Sequence, residues 1–98
     1  MRQIAFTPDA FKEYNDWFED AEIIDKIKIL LRDIDRDPFR GLGKPEPLKG
    51  NWKSYWSRRI NHEHRLVYKV SESQIIIVKC KGALLAMSPS HPLPGSNK

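Results

Sequence analysis

One carboxylate is held between two prolines, Pro45-Glu46-Pro47, amid a run of cations: Lys44, Lys49, the pair Arg58-Arg59 and Arg65. RNA can be cut by its own 2′-hydroxyl, and that transesterification needs three services. A base takes the 2′-OH proton, cations stabilise the crowded phosphorane, and an acid protonates the leaving 5′-oxygen. Glu46 suits the first service, because flanking prolines fix its backbone and nearby cations keep it ionised. On the residues alone, an ion pair with a loop lysine is an equal reading. Arg59 and Arg65 suit the second, since guanidinium is a planar fork of donors matched to phosphate oxygens. Lys44, Lys49 and Arg58 add charge for holding an RNA backbone. Tyr55 offers a ring on which a base could stack, and packing is at least as good a use for it. For the third service the sequence has His62 and His64 at a turn and His91 in a proline-rich tail. Of these His64 is the best substitute, because it adjoins Arg65.

The charge distribution points the same way. Residues 1–39 carry six Lys/Arg against ten Asp/Glu, and residues 40–69 carry eight against two, within a chain of net charge +4. Segregation of this kind predicts one polyanion-facing side and one ordinary solvated side. Aromatic residues (Trp52, Tyr55, Trp56, Tyr68) are interleaved with the basic part. The 98 residues fit one small domain, and 40% apolar content with three tryptophans is enough for a packed core. There is no apolar run of the roughly 20 residues a membrane span needs, and no signal-peptide pattern at the N-terminus. The single cysteine, Cys80, lies in a strand-like run and reads as core filler, which fits a reducing cytoplasm.

The elements that must position these residues follow from pattern. Arg2 to Phe6 is compatible with a first strand. Thr7-Pro8-Asp9 is a helix start, with a capping hydroxyl, proline in the first turn and an acid near the positive end of the dipole. Phe11, Tyr14 and Phe18 form one apolar stripe, expected in the core, with Trp17 beside it. Asp20 can cap a second helix whose Ile23, Ile24, Ile27, Leu30, Leu31 and Ile34 keep a 3.6-residue period until Pro38 ends it. Residues 39–51 read as ordered loop. Within them Gly41-Leu42-Gly43-Lys44 fails as a nucleotide loop: a helix precedes it, no Ser/Thr follows the lysine, and proline comes next. Trp52 to Ile60, His64 to Val70 and Gln74 to Lys81 then read as a three-strand meander. The fold expected is α+β, two N-terminal helices on a small antiparallel sheet.

Strand parity assigns faces. Trp56, Ile60, Leu66, Tyr68 and Val70 should meet the helices, leaving Ser57, Arg59, Arg65, Val67 and Lys69 on the open side. Pairing Ile60 with Leu66 would make Arg59 and Arg65 diagonal neighbours, with residues 80–82 alongside Arg65. From Ala83 onward, ALLAMSPSHPLPGSNK reads as an irregular, flexible tail, so residues 1–82 form the domain and 83–98 its extension.

The strings Gly41-Leu42-Gly43-Lys44-Pro45-Glu46-Pro47-Leu48-Lys49, Tyr55-Trp56-Ser57-Arg58-Arg59-Ile60 and Glu63-His64-Arg65-Leu66-Val67-Tyr68 resemble the YoeB/Txe toxins of the RelE-like group, bacterial toxin–antitoxin proteins. The likeness runs from about Arg2 to about Gly82. It implies a microbial-ribonuclease-like fold and an endoribonuclease, without metal or cofactor, that cuts messenger RNA in the ribosomal decoding site. It also implies neutralisation by a cognate antitoxin, and it allows a homodimer. On this resemblance Glu46 is catalytic, Arg65 binds phosphate, Arg59 takes part and Lys49 helps hold RNA. The family ends in a histidine–tyrosine pair, the histidine acting as acid. In ungapped register that pair falls on Ala83 and Leu84, so impaired turnover is expected. The rival reading is a binding protein that pairs with its antitoxin in operator repression and has no catalytic use. A third, an inhibitor of a protein target like the related ParE-type toxins, is opposed by the intact Glu46, Arg59 and Arg65.

Overall fold

A computed structural model describes residues 2–83; the expected flexible tail beyond Ala83 lies outside the described residues. The element order is β1 (Gln3–Phe6), α1 (Pro8–Asp16), α2 (Ala21–Arg36), β2 (Glu46–Pro47), a 3-10 turn (Gly50–Trp52), β3 (Tyr55–Arg59), β4 (Arg65–Val70) and β5 (Gln74–Lys79). Both helix starts form as their residues dictate. Thr7 Oγ1 accepts from the Ala10 amide at 3.1 Å, and Asp20 Oδ1 accepts from the Ile23 amide at 3.2 Å.

The strands form one sheet in the order β1-β5-β4-β3-β2. All neighbours are antiparallel except β1 and β5, which run parallel, so the sheet is mixed where an antiparallel one was expected. Glu46-Pro47, read from sequence as loop, is a two-residue edge strand on β3. Proline has no ladder N–H and flanks the pair on one side while ending it on the other, which hides a strand this short from any pattern.

Ala10, Ile27, Leu30 and Ile34 from the helices meet Ile60, Leu66, Tyr68, Ile75, Ile77 and Cys80 in the core, with Trp56 and Val70 packed at its margin. The facing assignment therefore holds. The register does not. Arg58 lies opposite Leu66 and Arg59 directly opposite Arg65. The turn is tighter than expected, because Asn61 Oδ1 accepts from both the Glu63 and His64 amides and Ile60 N–H donates to His64 O at 3.0 Å, which sets Ile60 opposite His64 and not Leu66. A two-residue shift preserves parity, which is why every side chain kept its face.

The aromatic stripe of α1 also differs. Phe11 is 55% exposed and Phe18 83% exposed, while Tyr14 packs on Phe6 with ring centroids 5.5 Å apart. The helix ends at Asp16, so Phe18 sits in the following turn where a helical period no longer governs direction. The inward residues are Ala10 and Tyr14 of α1 and Trp17 at its C-cap.

Cys80 is fully buried under α1, its Sγ–H directed at Ala10 O at 3.5 Å. Burial, assisted by the nearby Glu13 carboxylate, pushes its thiol up to about 12. The folded chain is expected not to react with Ellman's reagent at pH 8 and to react with one thiol per chain in urea, read by absorbance. Rapid reaction of the folded protein would place Cys80 outside the core.

Candidate functional site

The site is assembled on the sheet face that carries no helices. Glu46 pairs with Ser57, Ser57 with Val67, and Val67 with Lys79, so these four residues form one row across four strands on that face. One step along β3 and β4, Arg59 and Arg65 face each other as the neighbouring pair. Ser57 and Val67 are buried and outside the helix-side core, forming a small-side-chain floor between Glu46 and Lys79. Glu46 and Arg59 are exposed and Arg65 is half-buried. Among the described residues none of the three makes an ion pair. The loop ion pair that was the equal reading of Glu46 is absent among these residues. A carboxylate and two guanidiniums left open to solvent on one face can together hold and polarise a phosphodiester.

Lys79 was not among the residues singled out from sequence. The ladder shifts between Val67 and Tyr68, where Val67 pairs with Lys79 but Tyr68 pairs with Ile77, so Val78 is an extra residue on β5. This bulge turns Lys79 to the open side although Ile75 and Ile77, of the same parity, face the helices. No sequence signal marks a bulge in a run such as Ile75-Ile76-Ile77-Val78.

Two residues expected to touch RNA do not stand at the surface. Arg58 is fully buried on the helix side, and its guanidinium is used completely. Nε–H donates to Tyr68 Oη at 3.0 Å. Nη1 donates to Asp33 Oδ2 at 2.5 Å and Leu42 O at 3.1 Å, and Nη2 to Asp37 O at 2.7 Å and Arg40 O at 3.0 Å. The parity that exposes Arg59 buries Arg58, so its expected phosphate contact is replaced by a structural role. Tyr55 is 3% exposed, set edge-on to Trp52 with Lys69 Nζ 5.7 Å from its ring centre, which leaves no free face for a base. Lys44 and Lys49 remain exposed on the loop and the turn flanking β2.

The Arg58 network sets the path of the loop that carries Glu46. Asp33 of α2 accepts from Arg58, from the Leu42 amide at 2.8 Å and from Arg36 at 2.8 Å, while Tyr68 Oη–H donates to Pro38 O at 2.7 Å. Arg59 N–H then donates to Gly43 O at 2.7 Å, delivering the chain to β2. Gly41 and Gly43 have φ of +127° and +77°. A side chain at the first would strike Asp33, and one at the second would come within 2.9 Å of Arg59 O. The hydrogen bond from Arg36, and then that from the Leu42 amide, hold the Asp33 carboxyl well below the usual carboxylate range against its partial burial.

The chain leaving β5 is pinned beside Arg65. Cys80 N–H donates to Glu13 Oε1 at 2.8 Å and Trp17 Nε1–H to Cys80 O at 2.9 Å, both from the α1 side. Gly82 N–H donates to His64 Nδ1 at 2.8 Å, and Arg65 N–H to Gly82 O at 3.0 Å. Residues 80–82 therefore do run alongside Arg65, as the meander requires, and Ala83 follows, exposed. His64 packs edge-on to Trp17 at 4.7 Å and spends Nδ1 on Gly82, so its ring belongs to the helix side and not to the face of Arg59 and Arg65. It is no substitute acid. His62 is exposed in the turn, Leu84 and His91 lie outside the described residues, and Ala83 offers no proton.

A family model described as "YoeB-like toxin of bacterial type II toxin-antitoxin system" matches residues 6–83. Toxin YoeB of Synechocystis is 48% identical over 81 residues, 81% of this chain and 93% of that protein. Toxin YoeB of Escherichia coli K12 is 44% identical over 80 residues, 81% of this chain and 95% of that one. Among solved structures, a YoeB/ParE toxin from Agrobacterium tumefaciens superposes with a TM-score of 0.80 at 44% identity, covering 83% of this chain and 98% of its own. The YoeB dimer of Staphylococcus aureus gives 0.78 at 48%, covering 84% and 97%.

Removing one partner of the buried network leaves the others unpaired, so Arg58→Ala is expected to lose about 3–5 kcal/mol in urea unfolding. Arg58→Lys cannot replace a five-donor fork and should lose much of the same. Because the folded pKa of Asp33 is depressed, its contribution is complete at pH above its unfolded value of about 4 and declines as pH falls below that. Acid titration of the Asp33→Asn protein should therefore show a shallower loss of stability below pH 4 than the parent; identical acid limbs would exclude this role.

Proposed function

This chain belongs to the YoeB-like toxins of bacterial type II toxin–antitoxin systems, and from that premise we propose that it is a ribosome-dependent messenger RNA endoribonuclease with impaired turnover. Glu46 is the base for the 2′-hydroxyl, Arg65 and Arg59 hold and stabilise the phosphorane, and Lys44 and Lys49 hold the RNA strand beside them. The observation that carries this reading is the company Glu46 keeps: one row from the facing pair Arg59–Arg65, on a sheet face free of helices. The impairment rests on Ala83, which has no proton to give where the family has its histidine.

The same reading gives the chain a protein partner. A Staphylococcus aureus relative, 47% identical, is solved as a heterotetrameric YoeB–YefM toxin–antitoxin complex, and another is solved as a dimer. A cognate antitoxin, and self-association, are proposed here on that basis. Ala83 also favours a second reading, in which the chain only binds its antitoxin and serves operator repression.

Translating ribosomes carrying a defined message separate the two, with messenger RNA ends mapped by primer extension. Restoring the acid with Ala83→His and Leu84→Tyr should raise cutting by about 10²–10⁴-fold, the usual contribution of a general acid. Glu46→Gln in the restored protein should abolish the gain without loss of ribosome binding. Ribosome binding with no cutting by either protein would leave only the binding role.

A further inference from the structure

We propose that Lys79 serves as the general acid of this chain, protonating the leaving 5′-oxygen from beside Gly82, the residue before Ala83. The inference deepens the ribonuclease reading above and rests on it.

Three observations place the ammonium there. The bulge on β5 sets Lys79 opposite Val67, at the end of the row that begins with Glu46, so base and ammonium stand at opposite ends of one floor. The side chain leans along the strand toward the pinned segment: a Cβ built on Gly82 would lie 3.2 Å from Lys79 Nζ and 3.7 Å from its Cε. Gly82 O is in turn bonded by Arg65 N–H, so the ammonium lies next to the Arg65 end of the site and next to the residue preceding Ala83. Gly82 has φ of +90° and no side chain, which leaves the approach open. Among the described residues Lys79 has no carboxylate partner, unlike Lys81, which reaches Asp16 at 3.3 Å.

In-line displacement needs the base and the acid on opposite sides of phosphorus, and Glu46 and Lys79 stand on opposite sides of the Ser57–Val67 floor. Glu46 takes the proton from the 2′-oxygen, which bonds to phosphorus while the bond from phosphorus to the 5′-oxygen breaks. Lys79 gives that oxygen a proton and becomes a neutral amine, recovering its proton from solvent. The products are a 2′,3′-cyclic phosphate and a 5′-hydroxyl end, and no other reactant is consumed. A lysine is a weaker acid than a histidine, so the outcome is slow cutting rather than none.

The test is single-turnover cutting on ribosomes by the parent, Lys79→Ala and Lys79→Arg. Arginine keeps the charge and does not give up its proton. Both variants should cut at least about tenfold more slowly than the parent with unchanged ribosome affinity, a modest part of the usual general-acid effect. On a message carrying a 5′-bridging phosphorothiolate at the mapped cut, whose thiolate leaves without protonation, Lys79→Ala should regain the parent rate. A parent-like rate for Lys79→Arg, an undiminished Lys79→Ala, or an equal defect on the thiolate substrate would overturn the acid role. So would a silent parent beside an active Ala83→His protein, with the ribonuclease reading intact. Silence of both would remove the ribonuclease reading itself.

Discussion

The guanidinium of Arg58 is the constraint on which the rest of this structure depends. It is buried where the two layers meet, and it satisfies the ends of three separate pieces of chain: Asp33 on α2, the carbonyls of Asp37, Arg40 and Leu42 in the loop, and Tyr68 on β4. A buried charge is costly unless each of its donors finds an acceptor, and here all five do. The consequence reaches the surface. With residues 37–43 anchored from below, Gly43 meets β3 at a set point and Glu46 arrives opposite Ser57. A loop that would otherwise wander becomes the edge of a sheet.

The two faces of that sheet divide structure from chemistry. On the helix side, Ile, Leu and Tyr residues pack with Arg58, the one buried cation among the described residues. On the other, Glu46, Arg59, Arg65 and Lys79 surround a floor of Ser57 and Val67. Adjacent residues of β3 thus carry opposite duties. Arg58 spends its charge on the fold, and Arg59 is exposed with no ion-pair partner among the described residues. α2 is balanced, with four Asp/Glu against four Lys/Arg, and the acidic excess of residues 1–39 sits on α1 and in the segments that flank α2.

The chain leaving β5 is held beside Arg65. Glu13 and Trp17 from the α1 side, with His64 from the turn, fix the backbone of residues 80–82 as firmly as any part of the sheet, and what emerges at position 83 is a methyl group. Lys79 lies close to Gly82 because of the bulge at Val78, immediately before it.

Much of this was legible in the sequence. Proline and capping residues fixed where both helices begin and where α2 ends, period-2 alternation fixed which residues of β3 and β4 face the helices, and the Pro45-Glu46-Pro47 and Arg59 to Arg65 segments marked the candidate site. These are local properties, set by sterics and by which side chains leave water, and a register shift of two residues does not disturb them. What tertiary structure alone decided was partnership. Whether Arg58 is surface or core, whether Glu46 lies in a loop or a strand, whether Phe18 lies under a helix or beyond its end, and which way Lys79 turns all depend on residues far away in the chain. A pattern of neighbours in sequence records how each residue prefers to be buried; only the assembled sheet and helices determine which distant acceptor it meets there.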